Sequence, residues 1–191
     1  MKGPHEGPFV VLRPLADADV PAIARACDDP DTARFIPDMP APYTEADARR
    51  FLAGARANWA SGSVYIWAIT DGTPDLLGTV ALHVRERTAV GYWVAPWARN
   101  RGLATRAVET LCAWALGEGG FNRLELTTHP ENAASQRVAE KAHFVREGLV
   151  PGYLQTPSGP RDSVVFSRRP EPRGASLCRA QLLAPVRVER P

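Results

Sequence analysis

Apolar residues follow two rhythms along this chain, and the alternation between them sketches the fold. Phe9-Val10-Val11-Leu12 is an unbroken apolar run suited to an opening strand. Val20, Ile23, Ala24 and Cys27 then fall at i, i+3, i+4 and i+7, the stripe of a helix that Asp17 or Asp19 can cap and that Asp28-Asp29-Pro30-Asp31 stops. Pro37, Pro40 and Pro42 make Phe35 to Tyr43 a loop. Thr44 with Asp47 resembles a capping box, and Ala48, Phe51, Leu52, Ala55 and Trp59 share one face of the helix it opens. Three strand-like runs follow, 64–69, 77–84 and 89–94, separated by turn residues and by Arg85-Glu86-Arg87-Thr88, which predicts an antiparallel meander. A helix from Gly102 to Leu116, a strand at 124–127, a helix at 132–142 and strands at 144–149 and 163–167 complete the series. The order β-α-α-β-β-β-α-β-α-β-β predicts an α/β (α+β) fold: a mixed, mostly antiparallel sheet flanked by about four helices in three α/β/α layers.

Composition narrows the picture. At 191 residues, 45% hydrophobic and 23% charged, one globular domain is expected. The formal charge is +2, and from Pro170 onward four arginines meet two glutamates, so residues 1–169 are formally neutral. A neutral body argues against nucleic acid as a partner. The expected organisation is a lead at 1–8, a domain at 9–169, and a poorly ordered Pro/Arg-rich tail at 170–191 whose apolar Ala180–Ala184 could dock on the body. Cys27, Cys112 and Cys178 form no CxxC pair, and the first two sit among apolar helical positions. No apolar leader and no span of about 18 apolar residues occurs, so a cytoplasmic, membrane-free protein is expected, as a monomer or homodimer.

The candidate chemistry begins at Arg99-x-x-Gly102-x-Ala104. Fewer than one match to Arg/Gln-x-x-Gly-x-Gly/Ala is expected by chance at this composition, and this one falls between a strand and a helix. Small residues there let backbone N–H groups approach a phosphate at the positive end of the helix macrodipole, and Arg99 and Arg101 add charge. Asn132, after Pro130-Glu131, is suited to cap the next helix while offering its amide to a ligand.

Gly91-Tyr92-Trp93-Val94, the Arg99–Ala104 loop, Pro130-Glu131-Asn132-Ala133-Ala134-Ser135 and Lys141-Ala142-His143-Phe144 occur in one order. Together they resemble the GNAT family of acetyl-CoA-dependent N-acetyltransferases, and with Leu12-Arg13-Pro14-Leu15 most resemble its RimJ/RimL-type branch. That resemblance spans residues 9–169 and implies acetyl-CoA as cosubstrate, with no metal. The pyrophosphate would lie on the backbone of Arg99, Asn100, Arg101, Gly102, Leu103, Ala104 and Thr105. The strand edge at Trp93, Val94 and Ala95 would pair with the pantetheine arm, which Asn132 would also contact. Many members place a Tyr seven residues after this Asn as acid for the thiolate; here the position holds Ala139, and Ser135 is the substitute that can donate to sulfur. Members usually carry Gly before the Phe, where this chain has His143.

The expected reaction is direct acetyl transfer, in a ternary complex, to a primary amine: a protein or peptide N-terminus, or a small molecule. An α-amine near pKa 8 asks less of a base than a lysine near 10.4. The candidate bases are His129, Glu125 and Glu86, with His83 and Tyr153 behind them, and the Val94 or Ala95 N–H is the expected donor to the carbonyl oxygen. The acceptor should enter between the first two helices, with Phe35–Tyr43 as one wall; Phe35 and Tyr43 themselves suit either apolar walls or, the preferred reading, the core. A non-catalytic acyl-CoA-binding sensor is the alternative that Ala139 suggests. A nucleotide kinase or dinucleotide enzyme is disfavoured because neither GxxxxGK[ST] nor GxGxxG occurs.

Overall fold

The two rhythms resolve into strands β1 (Val11–Pro14), β2 (Val64–Thr70), β3 (Gly78–His83), β4 (Ala89–Val94), β5 (Leu124–Thr128), β6 (Val145–Thr156) and β7 (Gly159–Arg168). The helices are α1 (Val20–Cys27), α2 (Pro30–Ala33), α3 (Glu45–Ser61), α4 (Leu103–Leu116) and α5 (Ala133–Lys141). The computed structural model describes residues 9–170, and these elements are those of the described residues. The lead at 1–8 and all but the first residue of the 170–191 tail, with Cys178 and Ala180–Ala184, lie outside them.

One sheet runs in the order β1-β2-β3-β4-β5-β7-β6, antiparallel at every pairing except β4 with β5. Side chains alternate across it. Trp67, Ile69, Val80, Leu82 and Val90 pack on one face with Leu103, Ala107 and Leu111 of α4. Ala68 on the other face meets Ile23 of α1 and Leu52 of α3, and Ile66 meets Ala55 of α3. Burial on both faces is why β2 reads as a nearly continuous apolar run. The capping box forms as expected, with the Thr44 N–H donating to Asp47 at 2.8 Å and the Asp47 N–H to Thr44 Oγ1 at 3.3 Å. Cys27 and Cys112 are buried among apolar neighbours, and burial pushes both thiols up to about 12, so they act as small hydrophobes.

Three local departures have physical causes. Asp19 does not cap α1: its carboxylate takes both Arg13 guanidinium nitrogens, at 2.7 and 2.8 Å, and the Ala16 N–H. Asp28-Asp29-Pro30-Asp31 stops one helix and starts another, because Asp29 caps the single turn of α2 through the Thr32 N–H. The last strands form a hairpin far longer than 144–149 and 163–167; its outer strand is largely exposed, so polar residues mask the alternation.

The end of α5 explains His143. The Phe144 N–H donates to Ala139 and the His143 N–H to Glu140, the paired bonds of a Schellman ending whose next-to-last residue is left-handed. His143 has φ of +63°, the conformation for which glycine is preferred.

Candidate functional site

The sheet opens where its one parallel pairing stops. Strands β4 and β5 pair at Ala89 and Glu125, where the Glu125 N–H donates to Thr88 at 2.8 Å, and then diverge. Between and beside them lies an open cleft of about 1660 Å³, larger than the few hundred to 1,000 Å³ typical of a single small ligand.

The backbone of β4 divides its polar groups between the two edges. The Ala95 N–H donates to Leu77 at 2.9 Å, on the β3 side. Alternation along an antiparallel ladder then turns Trp93 and Gly91 toward β3, and Val94, Tyr92 and Val90 toward the gap. This corrects two expectations. Trp93 and Ala95 have committed backbone groups, and Ala95 cannot supply the free N–H; Val94 and Tyr92 hold the open edge. Gly78, opposite Val94, permits this close packing, since a Cβ there would sit 2.3 Å from the Trp93 carbonyl.

Helix α4 begins at the mouth of the gap. Asn100 and Gly102 have φ of +61° and +76°, and Gly102 caps the helix without any side-chain bond. The first intrahelical bond runs from Arg106 to Gly102, so the N–H groups of Leu103, Ala104 and Thr105 have no partner within the helix. Such a turn is an anion cradle. The arginines do not serve it as expected. Arg99 binds Asp29 at 2.5 Å and Thr32 Oγ1 at 2.7 Å, and Arg101 binds Asp71 at 2.9 Å, so both guanidinium charges are paired with carboxylates.

Across the gap, Asn132 caps α5 by accepting the Ser135 N–H at 3.0 Å, which leaves its carboxamide NH2 beside the cleft. Ser135 Oγ lies 2.8 Å from the Tyr92 hydroxyl, and burial pushes that phenol up to about 12 against the lowering effect of Ser135. A tyrosine in a strand reads as packing in the sequence, and only the contact across the gap gives the Tyr92 hydroxyl a role.

On the α1/α3 side, register places His83 and Glu125 on either side of Ala89, with side chains on one face and Cα atoms about 10 Å apart at ordinary strand spacing. The small residues Ala89 and Gly91 leave the floor between them open. Glu125 is buried, pairs with Arg123, and accepts from the Tyr153 hydroxyl at 2.5 Å; Arg87 donates to that hydroxyl at 2.9 Å. Burial, and then Arg85, hold His83 below the usual imidazole value, so it is neutral at pH 7. His129 is placed otherwise than expected: its Nδ1 accepts the Glu131 N–H at 3.3 Å, so the neutral ring offers an N–H at Nε2, not a lone pair. Glu86 is exposed on the β3–β4 turn at the cleft rim. Phe35 lines the cleft against His129 rather than filling the core, while Tyr43 packs into the α1/α3 core. Among the described residues no group of three metal-ligating side chains occurs, and no helix is long and apolar enough to cross a membrane.

The family model described as acetyltransferase (GNAT) domain matches residues 10–145. The chain belongs to the GNAT acetyltransferase family. It is therefore an acyltransferase, and its sheet is the GNAT sheet. The chain is 23% identical over 163 residues to the uncharacterized N-acetyltransferase YoaA of Bacillus subtilis, covering 83% of this chain and 92% of YoaA. Among solved structures it is similar to Mycobacterium smegmatis RimJ in complex with CoA-disulfide, at TM-score 0.73 and 24% identity, covering 84% of this chain and 81% of RimJ. It is also similar to RimL, the ribosomal L7/L12 α-N-protein acetyltransferase in complex with coenzyme A, at TM-score 0.74 and 18% identity, covering 84% and 94%.

Proposed function

We propose that this GNAT protein transfers the acetyl group of acetyl-CoA to the free α-amine of a protein or peptide. The observation that carries the reading is the gap between β4 and β5, with the uncapped start of α4 at its mouth. The Leu103, Ala104 and Thr105 N–H groups suit a pyrophosphate, and the Tyr92 and Val94 edge suits an amide-bearing arm laid beside it as an added strand. From Val94 to Val90 that edge spans about 13 Å at strand rise, enough to bring a thioester abreast of Tyr92 and Ser135. Asn132 holds the same arm, and the RimJ and RimL structures, similar in fold, contain CoA species.

The amine is assigned to the patch of His83, Glu125 and Tyr153, on the opposite side of the gap from Ser135. Glu125 attracts the ammonium form, and neutral His83 takes the proton. An α-amine near pKa 8 is already partly neutral at physiological pH, so one imidazole suffices. With Ala95 committed to β3, the donor to the carbonyl oxygen is assigned to the open edge of β4, where the Tyr92 N–H lies abreast of the thioester. The test is release of free CoA thiol by the purified protein with acetyl-CoA and peptides beginning with Ser or Ala, together with mass spectrometry of the peptide. Turnover should require a free α-amine and stop with N-blocked peptides. Acetylation of small amines alone would overturn the peptide assignment.

A further inference from the structure

The departure at Ala139 removes a phenol from α5, yet a phenol still reaches the same helix face. Ser135 and Ala139 are one turn apart on α5, and Ala139 is fully buried. From β4, the buried Tyr92 places its hydroxyl 2.8 Å from Ser135 Oγ. Ser135 is itself held by the bond from its N–H to Asn132. Two hydroxyls that share one hydrogen bond have two protons; one is used between them and the other remains to be donated outward.

We infer that Tyr92 is a positioning residue that fixes the Ser135 hydroxyl so that the pair directs one O–H at the departing sulfur. This rests on the acetyl-transfer reading above. As the amine lone pair forms the C–N bond, the electron pair of the C–S bond stays on sulfur, and the amine proton leaves to His83. An alkyl thiol has a pKa near 8.5. A phenol raised to about 12 would have to give up its proton against a factor of about 10³. The pair therefore donates a hydrogen bond to the thiolate and keeps both its protons. Without Tyr92, the serine hydroxyl can turn back to a carbonyl of its own helix.

The experiment compares wild type, Tyr92→Phe, Ser135→Ala and the double variant in the CoA-release assay at saturating acetyl-CoA, with CoA affinity measured by calorimetry. Both single changes remove only an oxygen, and thermal melting verifies that each variant is folded. Tyr92→Phe should lower kcat by about tenfold and Ser135→Ala by about 10²-fold, with CoA affinity within about twofold of wild type. The double variant should fall no further than Ser135→Ala, as expected of groups acting as a unit. Ser135→Thr, which keeps the hydroxyl, should recover most of the rate only when Tyr92 is present. An unchanged kcat in Tyr92→Phe, multiplicative losses in the double variant, or a loss explained by weaker CoA binding would each overturn the inference. Absence of turnover by wild type with every peptide would instead remove the acetyl-transfer reading, and this inference with it.

Discussion

Replacing His143 by glycine should stabilise the protein, although it deletes a whole side chain. His143 occupies the left-handed position of the α5 ending at φ of +63°. An L-residue there costs about 1–2 kcal/mol relative to right-handed backbone. Glycine escapes that cost but loses about 0.5–1 kcal/mol more backbone entropy on folding. The imidazole contributes little in return, because among the described residues its ionic neighbour is Glu109 at 3.9 Å and the His143 side chain is 53% exposed. The net gain is about 0.5–1 kcal/mol, or about 1–4 °C in Tm for a domain of this size. His143→Ala is the control: it removes the same imidazole but keeps the Cβ, and should stay within about 0.5 kcal/mol of wild type. Urea and thermal melts of the three proteins decide the matter. A glycine variant no more stable than wild type, or an alanine variant as stable as the glycine variant, would refute the conformational argument.

Other outcomes follow from the same geometry. Gly102→Val forces a β-branched residue into φ of +76° at the start of α4 and should abolish CoA binding by calorimetry while the far-ultraviolet circular dichroism stays native. In kcat at saturating peptide, the acid limb that His83 contributes should lie below the ordinary imidazole range, because burial holds its value down; His83→Gln should lower the plateau and remove that limb. Burial pushes Asp29 up, but Arg99 and the Thr32 N–H and hydroxyl outweigh it and hold its carboxyl below the usual range. Its folded value is therefore beneath its unfolded value, so this stabilisation is present above about pH 4 and is lost as pH falls through the folded value. Asp29→Asn should lower stability at neutral pH and flatten its decline below pH 4 in an acid series of urea melts.

Much of the fold was legible because local periodicity carried it. The stripes of α1 and α3, the meander of β2 to β4 and the cap at Asn132 all depend on residues within one or two turns of each other. The long hairpin was not, since exposed strands on the sheet edge need no apolar alternation. The cradle at Gly102 was also readable, because small residues between a strand and a helix have few other uses. The partners of its arginines were not, since Asp29 and Asp71 lie 70 and 30 positions away.

Local chemistry determined the family, the order of elements, the phosphate-suited turn and the Asn132 cap of α5 that holds Ser135. Each follows from neighbours in the chain, whose spacing fixes their geometry. Only the tertiary structure decided which edge of β4 stays open, that His129 offers a donor while His83 and Glu125 share a face, and that Tyr92 meets Ser135 from across the gap. Those facts depend on register and on strands that diverge, and register is set by packing of the whole sheet, not by any one segment.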